Sequence, residues 1–203
     1  HKDQEGKRVM LQLFTDTSAN LPVALTKQHH ITVVPFSYTV DGKETDYPDD
    51  VDFDGAAFYG AMRRSAVVKT SMVNPDLMAN YFERALSQGD DVLYVGMSGG
   101  ISGTAQAAVI AAGELTEKYP TRKIVTIDTY AASLGEGLQV LEAARMIEEG
   151  KSLDEIKTHL LARRPHMCQF FTVDDLAYLK RGGRISSATA LIGTVLSIKP
   201  ILC

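Results

Sequence analysis

The run Val92-Leu93-Tyr94-Val95-Gly96-Met97-Ser98-Gly99-Gly100-Ile101-Ser102-Gly103-Thr104 decides the fold class. Its first six residues are almost continuously apolar, as strands of a parallel sheet are when both faces are covered. The glycines and serines after it make a turn, and the alanine-rich stretch from about Gly103 to Lys118 favours a helix. A buried strand passing through a glycine-rich turn into a helix is one half of a βαβ unit.

The same alternation extends both ways along the chain. On the N-terminal side, Val9-Met10-Leu11-Gln12-Leu13-Phe14 is β-prone and ends in Thr15-Asp16-Thr17-Ser18, a cluster suited to capping the next helix. A helix is predicted over about Leu21 to His29, and a strand over Ile31 to Val40 with an edge or bulge at Pro35. Asp41-Gly42 marks a hairpin turn. Helices are predicted over Phe53 to Arg64, where Phe58 and Met62 share a face, and over Asp76 to Ser87, behind Asn74 and Pro75 as cap and first helical residue. Val67 to Ser71 is a short strand between them. On the C-terminal side come a strand, Lys123 to Asp128, and helices over Leu134 to Glu149 and Leu153 to Arg163, the last capped by Ser152. The chain is therefore read as α/β, a three-layer α/β/α domain around a parallel sheet. Something new begins after Pro165 with Phe170-Phe171-Thr172-Val173, and the chain stops in strand-like sequence at Ile198 to Cys203.

Composition narrows the function classes. With 203 residues, 45% hydrophobic and 23% charged, the chain can bury about 70% of its unfolded surface without a disulfide or metal. A net charge of -4 argues against nucleic acid as the main partner, since neutralising phosphates needs a clustered basic surface. Cys168 and Cys203 form no CxxC, so no zinc site or disulfide framework is expected, and a reduced, cytoplasmic setting fits. The polar N-terminus lacks a signal-peptide core, and no run of 18 apolar residues predicts a transmembrane segment.

The residues from Met97 to Thr104 link a strand's carboxyl end to a helix start, the edge at which open α/β sheets bind ligands. Glycines allow close backbone approach, amides at a helix start favour an anion, and Ser102 adds a donor without charge. The turn lacks the lysine of a phosphate-binding loop, and its glycine falls one place too early for GxSxG. The other reading is that Ser102 only caps the helix. Thr70-Ser71 offers a second pair of neutral donors, expected beside the Ser102 turn in a parallel sheet; it too reads equally as a capping pair. Neutral donors suit a carboxylate that must later react, because an ion pair would lower its nucleophilicity. Asp16 and Asp128 at strand ends are candidates for a metal site or general base, or caps for the next helix. The five histidines form no HxH or HExxH. Lys180-Arg181-Gly182-Gly183-Arg184 is either a solvated turn or a docking patch for an anionic partner.

Taken in order, these motifs resemble the DegV family. The resemblance rests on Phe14-Thr15-Asp16-Thr17-Ser18-Ala19-Asn20-Leu21, Val33-Val34-Pro35 with Asp41-Gly42-Lys43, Lys69-Thr70-Ser71, and Gly100-Ile101-Ser102-Gly103-Thr104. It continues through Asp128-Thr129 with Ser133, Gly135 and Gly137, the stretch Phe171 to Ser186, and Ile198-Lys199-Pro200-Ile201-Leu202. It implies a first α/β/α domain over residues 8–165 and the start of a second, smaller α/β domain over 166–203, truncated relative to members whose chains run on. Members bind a long-chain fatty acid and present its carboxylate to a separate kinase resembling dihydroxyacetone kinase, which forms an acyl phosphate for phospholipid synthesis. The resemblance implies no enzyme activity of the chain itself, no cofactor and no metal. Carried over to this sequence, the carboxylate ligands are Ser102, Thr70, Ser71 and Gly103, with Arg181 and Arg184 as docking residues. Here Ser71 runs on through Met72-Val73-Asn74 to Pro75, where members have Gln or Glu before the proline. The rival reading is a stand-alone hydrolase or phosphotransfer enzyme with Ser102 as nucleophile and Asp16 or Asp128 as helper; it lacks a histidine base.

Overall fold

The computed structural model describes residues 9–47, 51–173, 175–186 and 201–202. The chain divides into two compact units, the first ending at His166 and the second starting at Met167.

The first unit holds β1 (Leu11–Asp16), α1 (Val23–Gln28), β2 (Ile31–Val34), β3 (Ser37–Val40), β4 (Lys43–Asp46), α2 (Gly55–Arg63), β5 (Val68–Ser71), α3 (Pro75–Leu86), β6 (Asp91–Gly96), α4 (Thr104–Lys118), β7 (Ile124–Asp128), α5 (Leu134–Glu148) and α6 (Leu153–Arg163). Four of these strands form one parallel sheet in the order β2-β1-β6-β7. All six residues of β6 are buried, as its apolar run requires. Because neighbouring strand residues point to opposite faces, β6 serves two cores. Leu93 and Val95 join Leu13 and Ile127 beneath α5 and α6, where Val140, Ala144, Ile156 and Leu160 close one layer. Val92 and Tyr94 join Phe14 and Val34 beneath α3 and α4, where Met78, Phe82, Ala108 and Leu115 close the other. The result is the three-layer α/β/α architecture.

The residues from Ile31 to Val40 are not one strand with a bulge. Pro35 ends β2, and after Phe36 the chain enters a separate antiparallel sheet of order β4-β3-β5. Proline lacks the amide that a continuing strand would donate, and Thr17 Oγ1 takes the Phe36 amide at 2.9 Å instead. Asp41-Gly42 does turn β3 into β4. No residue of α2 is buried; Phe58 instead meets Tyr38 edge-on at 5.2 Å, in a cluster where Phe53 stacks on Tyr47 at 4.7 Å. Asn74 and Ser152 cap α3 and α6, the latter through a full capping box with Glu155.

In the second unit β8 (Phe171–Thr172) pairs antiparallel with β9 (Ile201–Leu202), and α7 (Leu176–Arg181) is capped by Asp175. Among the described residues no helix is long and apolar enough to cross a membrane.

Candidate functional site

In the parallel sheet, β2 lies on one side of β1 and β6 on the other, so the order of connection reverses between β1 and β6. A crevice opens at the carboxyl ends of strands at such a switch point. Here it holds the turn after Asp16 and the turn from Met97 to Gly103.

Asp16 ends β1 and is fully buried. Its Oδ1 accepts the Ser18 amide at 2.9 Å and the Ser18 hydroxyl at 2.6 Å. Its Oδ2 accepts the Tyr94 phenol at 2.5 Å and the Met97 amide at 3.2 Å. Glu136, in the first turn of α5, is also fully buried; its Oε2 lies 2.5 Å from Ser18 Oγ, and its Oε1 accepts the Thr15 hydroxyl at 3.3 Å. Burial, and after it the charge of Asp16, hold the Glu136 carboxyl well above the ordinary range. Burial likewise pushes up the Tyr94 phenol, with Asp16 adding to the effect. Gly137 makes this approach of α5 possible: a Cβ there would sit 2.7 Å from the Ala19 carbonyl oxygen.

Asp128 ends β7 and accepts the Gly99 amide at 3.0 Å and the Tyr130 amide at 2.9 Å. The two strand-end aspartates thus brace the Met97–Gly103 turn from both sides, and Asp16 also caps the short 3-10 turn over Thr17–Ala19. Among the described residues no three acids, histidines or cysteines gather as a metal site.

Within the turn, the amides of Ile101 and Ser102 both donate to the Ser98 carbonyl at 3.2 Å. Half-buried Ser102 accepts the Thr104 amide on its Oγ at 3.3 Å and lies 2.9 Å from Thr104 Oγ1. Gly103 is the N-cap of α4 and Ser102 stands one residue before it, bracing the turn through the Thr104 amide; with the Thr104 hydroxyl donating, Ser102 keeps its own proton. The amides of Ala105 and Gln106, in the first turn of α4, have no carbonyl partner within the helix.

Thr70 and Ser71 end β5 and are exposed. They do not belong to the parallel sheet, as the alternation of strands suggested; Thr70 pairs with Tyr38 and Ser71 with Ser37 in the antiparallel sheet. The chain nevertheless returns at once to the main core through Val73, which is 1% exposed. Met72, between them, reaches the Ser102 turn: a Cβ on Gly103 would lie 2.6 Å from Met72 Sδ. The Met72 side chain, next in sequence to Ser71, is thus packed on the Ser102–Gly103 turn. Since adjacent strand residues face opposite sides, one hydroxyl of the Thr70-Ser71 pair, not both, points to a given side.

Arg181 and Arg184 lie in the second unit and are exposed. The Arg181 guanidinium sits 4.3 Å from the Tyr178 ring centre, and Arg184 donates to the Gly182 carbonyl.

Sequence reasoning did not find a cleft beside Asp16 and Thr17, lined by Leu21, Val23, Val33, Tyr47 and Phe53. Nor did it find the Glu136–Ser18–Asp16–Tyr94 network, whose members come from three separate segments. The adjacent Gly135 and Gly137 were the available signal, since glycines flanking an acid at a helix start mark a close approach.

A family model described as "Uncharacterised protein, DegV family" matches residues 10–203. A DegV domain-containing protein of Clostridium perfringens is 43% identical over 192 residues, covering 94% of this chain and 65% of its own length. Another, from Lactococcus lactis, is 38% identical, with 94% and 66% covered. Among solved structures, one described as fatty acid binding of a DegV family protein from Thermus thermophilus superposes with a TM-score of 0.79 at 35% identity, over 96% of this chain and 67% of that one. A stearic acid-binding protein from Eubacterium ventriosum gives 0.80 at 29% identity, over 95% and 66%. The chain thus spans about two thirds of the length of these relatives.

Proposed function

The chain belongs to the DegV family, and from that premise we propose that it binds a long-chain fatty acid, holds the carboxylate at the Ser102 turn, and presents it to a separate kinase resembling dihydroxyacetone kinase. The observation that supports this reading best is the hydroxyl-bearing, glycine-rich Ser102–Gly103 turn at a sheet switch point, with first-turn amides of α4 beside it and the side chain of Met72, next to Ser71, packed on it. The donors are uncharged. They hold a carboxylate without quenching it, which an acceptor of a phosphoryl group requires. Gly103 admits the Met72 side chain beside the turn, and Ser102 contributes its proton.

Transfer energetics favour a long chain. Burying about 15 methylenes at about 0.8 kcal/mol each gives roughly 12 kcal/mol before ordering costs. Short acids lack that term and are released.

On this reading residues 8–165 are the carboxylate-holding domain, 166–203 begin a smaller second domain, and exposed Arg181 and Arg184 meet the kinase through acidic groups. The chain is then a carrier that works in the cytoplasm, needs no cofactor or metal, and performs no chemistry alone. The Ser102 hydroxyl bonds only to Thr104 among the described residues, so no base stands ready to make it a nucleophile. Organic extraction of the purified protein followed by mass spectrometry tests the proposal. A long-chain fatty acid retained by the wild type, and bound about tenfold more weakly by Ser102→Ala, is the expected result; a lipid-free protein that also fails to take up palmitate overturns it.

A further inference from the structure

We propose that Glu136 is a neutral, protonated acid that donates to Ser18 and, through Ser18 and Asp16, positions the base of the Ser102 turn. Counting protons leads there. Ser18 Oγ lies 2.6 Å from Asp16 Oδ1 and 2.5 Å from Glu136 Oε2. A serine hydroxyl has one proton, so it donates to one of these oxygens only. With both acids ionised, the other contact would set lone pairs against each other at 2.6 Å or less. One acid must supply the second proton.

The donor count says which. Asp16 already accepts from the Ser18 amide, the Ser18 hydroxyl, the Tyr94 phenol and the Met97 amide. A proton on either oxygen would displace one of them. Among the described residues Glu136 Oε1 accepts the Thr15 hydroxyl, which leaves Oε2 to carry the proton toward Ser18. The chain therefore runs from the Glu136 acid to the Ser18 hydroxyl to the Asp16 carboxylate, which in turn fixes Tyr94 and Met97.

The surroundings agree. Facing Glu136 are Thr15 and Asp16 from β1 and Ser18 from the turn, with Tyr94 of β6 bonded to Asp16 and itself near Asp128 of β7. From α6, His159 meets Glu142 and not Glu136. Among the described residues no lysine or arginine bonds either buried carboxyl. A second negative charge here would be buried beside Asp16 without compensation.

For the site, a neutral Glu136 does two things. It removes one negative charge from beneath a turn that is to receive a carboxylate. It also keeps Asp16 aimed at the amide of Met97, the first residue of that turn. The ligand consequence rests on the fatty-acid reading; the proton does not.

Linkage sets the sign of the pH effect. A folded acid held above its ordinary range binds more protons than the unfolded chain once the pH exceeds that range, about 4.5. The folded-to-unfolded ratio then falls with rising pH, by up to about tenfold per unit from this group, until the folded Glu136 ionises.

Carbon-13 NMR of wild-type protein labelled at the glutamate δ-carbon reads the proton without any variant. One glutamate carboxyl is expected to stay protonated at pH 7, and its signal is absent in E136Q. E136Q keeps a donor toward Ser18, so it folds, binds palmitate within about threefold of wild type at pH 7, and loses the falling stability between pH 5 and 9. If every glutamate titrates in the ordinary range, or if the protonated signal persists in E136Q, the proposal is overturned. If E136Q does not fold, the wild-type titration decides. A protonated Glu136 in a protein that binds no palmitate at any pH would leave this inference standing and sink the fatty-acid reading.

Discussion

The two sheets of the first unit are built to different standards of packing. The parallel sheet has a central strand with every residue buried and a closed apolar layer on each face. The antiparallel sheet has β3 half-buried along its length and is accompanied by a helix with no buried residue; its rings pack mostly on each other. The proposed carboxylate site draws Ser102 from the first and Thr70 or Ser71 from the second. The contrast teaches where each property resides. The parallel sheet supplies the closed core, and on the proposed function the half-buried apolar surface of the other is where an oily tail would lie.

The contrast is broken most directly by truncating one side chain on each side of it. Leu93→Ala removes a fully buried side chain and is expected to lower unfolding free energy by about 3 kcal/mol in urea titrations. Phe58→Ala should cost about 1.5 kcal/mol, since its ring is half-exposed. Equal losses would mean that the antiparallel sheet is packed as tightly as the main core. The site variants should act on ligand affinity with little change in stability. Ser102→Ala is expected to weaken palmitate binding about tenfold, the scale of one donor to a charged group, and to lower the melting temperature by only a few degrees through the lost bond to the Thr104 amide. Gly103→Ala should weaken binding about fivefold because Met72 Sδ occupies the space of the new methyl, and Met72→Ala in the same chain should restore most of it. The smallest effects separate Thr70→Ala from Ser71→Ala. One of them is expected to lower affinity about threefold and the other not at all, because the two side chains face opposite ways. Equal effects from both would show that β5 frays when ligand binds.

The same division governs what could be read from the sequence. Strand β6 was legible because a central strand has no polar face to obscure its run from Val92 to Val95. The starts of α3 and α6 were legible because Asn74-Pro75 and Ser152 with Glu155 act locally, through their own backbone. The antiparallel sheet was not. Its strand β3 comes after β2 with only Pro35-Phe36 between, and nothing local distinguishes a proline that bends a strand from one that ends it. Tyr94 passed as one more apolar residue, its phenol being invisible in a hydrophobic pattern. Glu136 passed as an ordinary acid in a first helical turn, where acids usually face water. The two donor segments were legible as residue types, but the packing of the Met72 side chain on Gly103 was not, because periodicity cannot place it.

The contact between Ser18 and Glu136 also bears on how the chain assembles. These residues are 118 apart along the sequence, so they meet only after β1, β6 and α5 have all been made and docked. A nascent chain carries Glu136 as an ordinary water-facing carboxylate until that moment. Closure of the first unit then draws a proton from the solvent, and the acidity of the medium becomes a reactant in folding.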